Sequence, residues 1–116
     1  MAWTSTRPIT DLTVTQAARY TGVTSAAIAA DTNDAAPANL ATSTIIELTG
    51  TRPYLALTGL AAQPAGTTKR IVNTGTVPLI LRGSSTASVA TNRFGWAFDK
   101  VIDPSESVEV YYSATT

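Results

Sequence analysis

The chain contains no cysteine and no histidine, and these two absences exclude several kinds of chemistry. Without cysteine it has no disulfide framework, no thiolate nucleophile and no cysteine-based zinc site. Without histidine it lacks the commonest metal ligand and the general base of a Ser–His–Asp triad. We therefore expect a protein that is not an enzyme and that binds neither a metal nor a cofactor.

Charge is also scarce. Only 14% of the residues are charged and the net charge is zero, whereas soluble domains usually contain about 25% charged residues. There is no basic stripe for nucleic acid, and no apolar run approaches the roughly 20 residues of a membrane span. We therefore expect no nucleic-acid or membrane partner. A surface with so few charges is typical of a protein that packs into an assembly.

Residues 1–41 are rich in alanine and threonine and poor in bulky aliphatic side chains. Residues 9–15 alternate Leu12 and Val14 with threonine, which favours one short strand, and residues 24–30 could form one or two helical turns. Ordering a backbone costs about 1–2 kcal/mol per residue, and this segment has few large side chains to offset that cost. We therefore predict an extended N-terminal arm over residues 1–41.

From residue 42 the sequence becomes a series of short β-prone runs separated by turn signals. The clearest alternation places Phe94, Trp96 and Phe98 on one strand face, which favours a core face over a sugar-binding platform. Short strands without a long helix predict an all-β fold, a small antiparallel, jelly-roll-like β-sandwich over residues 42–116. The predicted strands are residues 44–49, 54–58, 69–73, 77–82, 93–98 and 107–112.

Two sets of oxygen-bearing side chains are candidate sites. The first set is Asp31, Asn33 and Asp34, and the second is Asp99, Asp103, Glu106 and Glu109. The first lacks the later ligands and the glycine of a calcium loop, so it favours a turn. The second could hydrolyse a glycoside, but Pro104 after Asp103 favours a plain β-turn. Three arginines either pair with carboxylates across a subunit boundary or are solvated strand ends: Arg70, Arg82 and Arg93.

Two stretches of the β-region follow a recognisable pattern. Residues 66–75 read Gly-x-x-Lys-x-Ile-x-Asn-x-Gly, and residues 102–111 read hydrophobic-x-Pro-x-x-Ser-Val-x-hydrophobic-Tyr. With their neighbours over residues 44–112, they resemble the small β-sandwich modules of tailed-bacteriophage virions. Such modules occur in capsid decoration (cement) proteins, head fibres and tail fibres. Residues 1–41 lie outside the resemblance.

The resemblance implies a structural virion protein, often a trimer around a three-fold axis, with no catalytic residues to transfer. We expect a capsid decoration protein, made in the host cytoplasm and located on the capsid surface, that stabilises the assembled head. Its partners would be copies of itself and the major capsid protein or another virion protein. The alternative is a head-fibre or tail-fibre module that recognises a host glycan.

The arm is the predicted attachment device, because small side chains let an extended chain lie close to another backbone and add a strand to an open edge. The alternative is that the arm folds back onto its own sandwich. Tyr111, on the strand face opposite Tyr112, is a further candidate for an exposed contact. The predicted attachment residues are Trp3, Ile9, Leu12, Val14 and Tyr20.

Overall fold

The structure, a computed structural model, describes residues 2–5 and 22–113. These residues confirm the predicted all-β fold: they form eight strands and two single-turn 3₁₀ helices, Leu40–Thr42 and Ala90–Asn92. The strands are β1 (Ala2–Ser5), β2 (Val23–Ile28), β3 (Ile45–Gly50), β4 (Leu55–Leu57), β5 (Thr68–Asn73), β6 (Leu79–Leu81), β7 (Lys100–Ile102) and β8 (Ser107–Ser113).

The strands form two sheets that pack as a small β-sandwich. The large sheet has the order β1-β8-β5-β3-β2 and the small sheet has the order β4-β6-β7. The pairing is mixed rather than wholly antiparallel. The pairs β2–β3, β3–β5 and β4–β6 are parallel, whereas β1–β8, β5–β8 and β6–β7 are antiparallel. The parallel pairs depart from the antiparallel, jelly-roll-like pattern that the sequence predicts.

The parallel pairs arise because the chain alternates between the two sheets in successive coils. Parallel neighbours need a crossover connection, and here each crossover runs through the opposite sheet. The first coil is β2 with residues 31–35, which lie beside β4 through a Thr32–Leu57 bridge. The second coil is β3 with β4, and the third is β5 with β6. Each coil therefore lies in register on the next in both sheets.

The described part of residues 1–41 belongs to the sandwich, which corrects the predicted extended arm and its boundary at residue 41. In β1, Trp3 pairs with Tyr112 of β8, and its side chain is fully buried. All six residues of β2 pair with β3. The Trp3 ring buries a large apolar area, and the ladder between β2 and β3 satisfies the backbone hydrogen bonds of β2. Together they stabilise a segment whose other side chains are small.

Two local predictions are wrong. Residues 24–30 contain a strand instead of helical turns, because pairing with β3 outweighs the weak helix preference of alanine. Residues 93–98 are irregular instead of a strand. Phe94 is buried between bridges to Trp3 and Gly83, but Phe98 is 84% exposed, so the alternating aromatics do not share one core face.

The core lies between the sheets, and Trp3 is its largest side chain. The indole Nε1 donates to the carbonyl oxygen of Leu60 at 3.1 Å, and the ring meets Tyr112 edge to face at 5.3 Å between centroids. Aliphatic side chains from both sheets and from the connections between them complete the core: Ile28, Leu40, Ile46, Leu48, Leu55, Leu57, Leu60, Ile71, Leu79, Leu81, Ile102 and Val110.

Candidate functional site

Two strand edges of the sandwich are open among the described residues. β2 pairs only with β3, and β7 pairs only with β6. The other two edges are covered, because Phe94 bridges to Trp3 beside β1 and Thr32 bridges to Leu57 beside β4. An open edge presents backbone N–H and C=O groups that can pair with another chain. Sequence reasoning missed both open edges, since it predicted neither β2 nor β7 as a strand.

The outer edge of β2 carries nothing that would discourage strand addition. The carbonyl oxygen of Gly22 accepts a hydrogen bond from Ile45 of β3, and that of Ile28 accepts one from Thr51, the residue after β3. The peptide groups of the even-numbered residues of β2 therefore point towards β3. Residues 23–28 include no charged side chain and no proline, which are the usual means of protecting an edge. By the alternation of a strand, the peptide groups that point away from β3 are those of Val23, Ser25 and Ala27.

A solvent-open groove of about 540 Å³ runs along β7. Its walls are Lys100, Val101, Ile102, Glu106, Ser107 and Val108. Within the described residues, the pairing of β1 with β8 runs from Ala2–Ser113 to Ser5–Val110. The carbonyl oxygen of Ile102 accepts a 2.8 Å hydrogen bond from the Asn73 side chain, and the peptide groups of Val101 point away from β6.

The connection between β6 and β7 carries an exposed aromatic residue on a fixed base. Phe94 stacks on Trp96 with 4.8 Å between ring centroids and 13° between planes. The Lys100 ammonium lies 5.2 Å from the centroid of the Trp96 ring, within the range of a cation–π contact. Asp99 accepts from the Gly83 backbone N–H at 3.0 Å. Phe98 projects from this base.

The three arginines make contacts within the chain. Arg70 pairs with Glu109 across β5 and β8 at 3.1 Å. Arg82 pairs with Asp99 at 2.8 Å. The third, Arg93, donates from Nε to the carbonyl oxygen of Ser88. These contacts join neighbouring segments of the sandwich.

Residues 103–106 of the second set form the predicted turn, whereas residues 31–35 of the first set lie beside β4 through isolated bridges, with a bend at Asn33 and Asp34. In the first set, Asp31 accepts from the Ala56 N–H at 3.0 Å and Asp34 accepts from the Val89 N–H at 2.9 Å. In the second, residues 103–106 form a turn in which the Glu106 carboxylate accepts from the Asp103 N–H at 2.8 Å. These oxygens hold residues 31–35 against β4 and Val89, and they close the turn between β7 and β8.

Lys69 is a buried basic side chain on the core face of β5, with only 1% of its surface exposed. Its Nζ donates to the carbonyl oxygen of Leu40 at 2.6 Å and to that of Ser43. Burial lowers the pKa of Lys69, because a low-dielectric environment disfavours the ammonium form. The side chain ties the segment before β3 to β5.

The structure describes two of the six predicted contact residues. Trp3 is enclosed in the core of its own chain, so it is not an anchor for a partner. Tyr111 is 37% exposed on the outer face of β8, while its neighbour Tyr112 is buried, as the alternation of the strand predicts. The other four lie outside the described residues: Ile9, Leu12, Val14 and Tyr20.

Within residues 2–5 and 22–113, no helix is long and apolar enough to cross a membrane, and no three acidic side chains gather as metal ligands. No family model, curated protein or solved structure matches the chain. The features suited to contact with another macromolecule are the β2 edge, the β7 groove and the loop that carries Phe98.

Proposed function

We propose that this protein is a structural virion component, a bacteriophage capsid decoration protein that binds the assembled head and stabilises it. The resemblance of residues 44–112 to virion β-sandwich modules is the starting point. The observation that carries the proposal is the open, uncharged edge of β2, to which a capsid protein can add a strand. The low content of charge supports a surface that is covered in an assembly.

The stabilisation would come from backbone hydrogen bonds and apolar burial across the contacts between head subunits. Each contact adds a modest free energy, and many copies act together because neighbouring contacts raise the effective concentration. The major capsid protein would be the partner of each copy. Self-association, as the trimer that the resemblance implies, would add further contacts between decorating copies.

The test uses purified expanded heads and a variant that blocks only the β2 edge. Proline at position 25 removes a backbone N–H that points away from β3, so Ser25→Pro leaves the β2–β3 ladder intact. We expect the wild-type chain and the control Ser25→Ala to bind heads and raise their disassembly temperature, and Ser25→Pro to lose both effects. Failure of the wild-type chain to bind heads would overturn the proposed function.

A second variant tests whether residues 6–21 attach the protein, as the sequence predicts for Ile9, Leu12, Val14 and Tyr20. Replacing residues 6–21 by a glycine–serine linker of equal length keeps β1 and β2 in place. We expect a folded protein with weakened head binding. If this variant binds heads as well as the wild-type chain, residues 6–21 are not the attachment device.

The alternative function is that of a head-fibre or tail-fibre module that recognises a host glycan. The exposed Phe98 ring favours it, because a free aromatic face suits a sugar ring. It predicts that Phe98→Ala or Tyr111→Ala lowers adsorption to host cells while head stability is unchanged. Silence on a glycan array, with unchanged adsorption of both variants, would remove it.

A further inference from the structure

We propose that two copies of the chain join through their β7 edges, antiparallel to each other, about a two-fold axis at Val101. The contact would unite the two small sheets into one continuous sheet of six strands. The inference rests on the self-association in the proposed function, and it replaces the three-fold arrangement with a two-fold contact on a named surface. An isologous contact of this kind requires an edge that is complementary to itself.

The backbone of β7 fits a second copy of β7. Pro78 has no N–H, so the hydrogen-bonded pairs between β6 and β7 are Leu79–Ile102 and Leu81–Lys100, and the alternation of the strand turns the N–H and C=O of Val101 away from β6. An antiparallel pair centred on Val101 places Lys100 of one copy opposite Ile102 of the other. The two Val101 residues, which meet on the axis, can exchange both of their N–H···O=C hydrogen bonds.

The side chains on the outer face of the small sheet continue across the same axis. Ala56, Ile80 and Val101 lie side by side on β4, β6 and β7. Ala56 is buried and Val101 is 51% exposed, so this apolar row ends at the open edge. In the dimer the two Val101 side chains would lie side by side on the outer face, with their Cα atoms about 5.5 Å apart as in a hydrogen-bonded antiparallel pair.

The charges along the β7 groove select a second copy as the occupant. Lys100 lies at one end of the groove, and the acidic Asp103 and Glu106 lie near the other end. A two-fold axis through the middle brings the basic end of each copy to the acidic end of the other. The same register places Asp99 opposite Asp103, and Arg82, 2.8 Å from Asp99, supplies the compensating charge. Two chains of zero net charge do not repel each other.

The chain offers a direct test because it has no cysteine of its own. A single Val101→Cys substitution places two thiols across the axis, within the Cα separation that a disulfide spans. Val89→Cys is the matched control, because Val89 is 57% exposed but lies outside the strands. Under mild oxidation we expect a several-fold higher yield of disulfide dimer for Val101→Cys than for Val89→Cys. Equal yields would overturn the proposal.

A second experiment follows the mass of the unmodified protein by sedimentation. We expect the wild-type chain to be a dimer and Val101→Lys to be a monomer, because the substitution places two like charges opposite each other. A monomeric wild-type chain, or a trimer that Val101→Lys leaves unchanged, would overturn the β7 contact. Head binding is measured separately. A dimer that binds no heads removes only the decoration role, and a monomeric Val101→Lys variant that stabilises heads keeps that role.

Discussion

Replacement of Trp3 tests whether β1 is part of the cooperative fold. The Trp3 side chain is fully buried, its Nε1 donates to the carbonyl oxygen of Leu60, and its ring packs against Tyr112. The substitution Trp3→Ala removes the largest side chain of the core and leaves a buried carbonyl oxygen without its partner. The backbone of β1 can still pair with β8, so the change in stability measures the contribution of the Trp3 side chain.

The structure gives the size of the expected loss. Truncation of a buried tryptophan to alanine costs about 3–5 kcal/mol, and the unpaired Leu60 carbonyl adds about 1–3 kcal/mol. Domains of this size are stable by about 5–15 kcal/mol, so Trp3→Ala can leave little folded protein. Trp3→Phe keeps most of the ring and loses the hydrogen bond, and we expect it to cost about 1–3 kcal/mol.

Urea unfolding followed by circular dichroism measures both variants. We expect lower midpoints with an unchanged dependence on urea, which signifies lost stability in the same cooperative unit. Each kcal/mol should lower the melting temperature by roughly 4 °C. Thr4→Ala, on the same strand but outside the core, is the control and should change stability by less than about 0.5 kcal/mol. A loss below about 1 kcal/mol for Trp3→Ala would refute the reasoning and show that β1 is not part of the cooperative fold.

Three further substitutions have defined outcomes. The unfolded chain binds the Lys69 proton more tightly than the folded chain, so stability should rise with pH from the lowered folded pKa towards the usual lysine range. Urea titrations at several pH values should show that Lys69→Met lacks this rise. Asn73→Ala leaves two buried carbonyl oxygens without the Asn73 amide, and urea unfolding should show a loss of about 2–4 kcal/mol. Gly83→Ala drives a methyl group into the Trp96 backbone, and calorimetry should show a loss of about 1–3 kcal/mol.

Strands with a strong alternation were the most predictable part of the fold. Residues 107–112 alternate two valines and a tyrosine with polar residues, and they lie within β8 with Tyr112 inside and Tyr111 outside. Residues 69–73 likewise lie within β5. In both strands one side chain in two faces the core, so local sequence and tertiary burial favour the same conformation.

The missed elements depend on contacts that are distant in the sequence. β1 is held by one tryptophan and by pairing with the far end of the chain, and β7 has only three residues between charged neighbours. The parallel pairing of β2, β3 and β5 follows from crossovers between the sheets, which hydrophobic alternation does not encode. The open edges could not be predicted for the same reason, because an edge is defined by what lies beside a strand.

Because the chain winds through both sheets in successive coils, the coils should unfold locally in a defined order. The third coil contacts β8 and β7, whereas the first coil rests on the second alone within each sheet. When units stack in a line, stability is shared between nearest neighbours, and a terminal unit can detach while the rest stays folded. Amide protons of β2 should therefore exchange with solvent sooner than those of β5. Asp31 accepts a hydrogen bond from the Ala56 N–H of β4, and Asp34 accepts one from the Val89 N–H, so both aspartates hold the first coil in place. Substituting these two aspartates should accelerate exchange there before the rest of the sandwich responds.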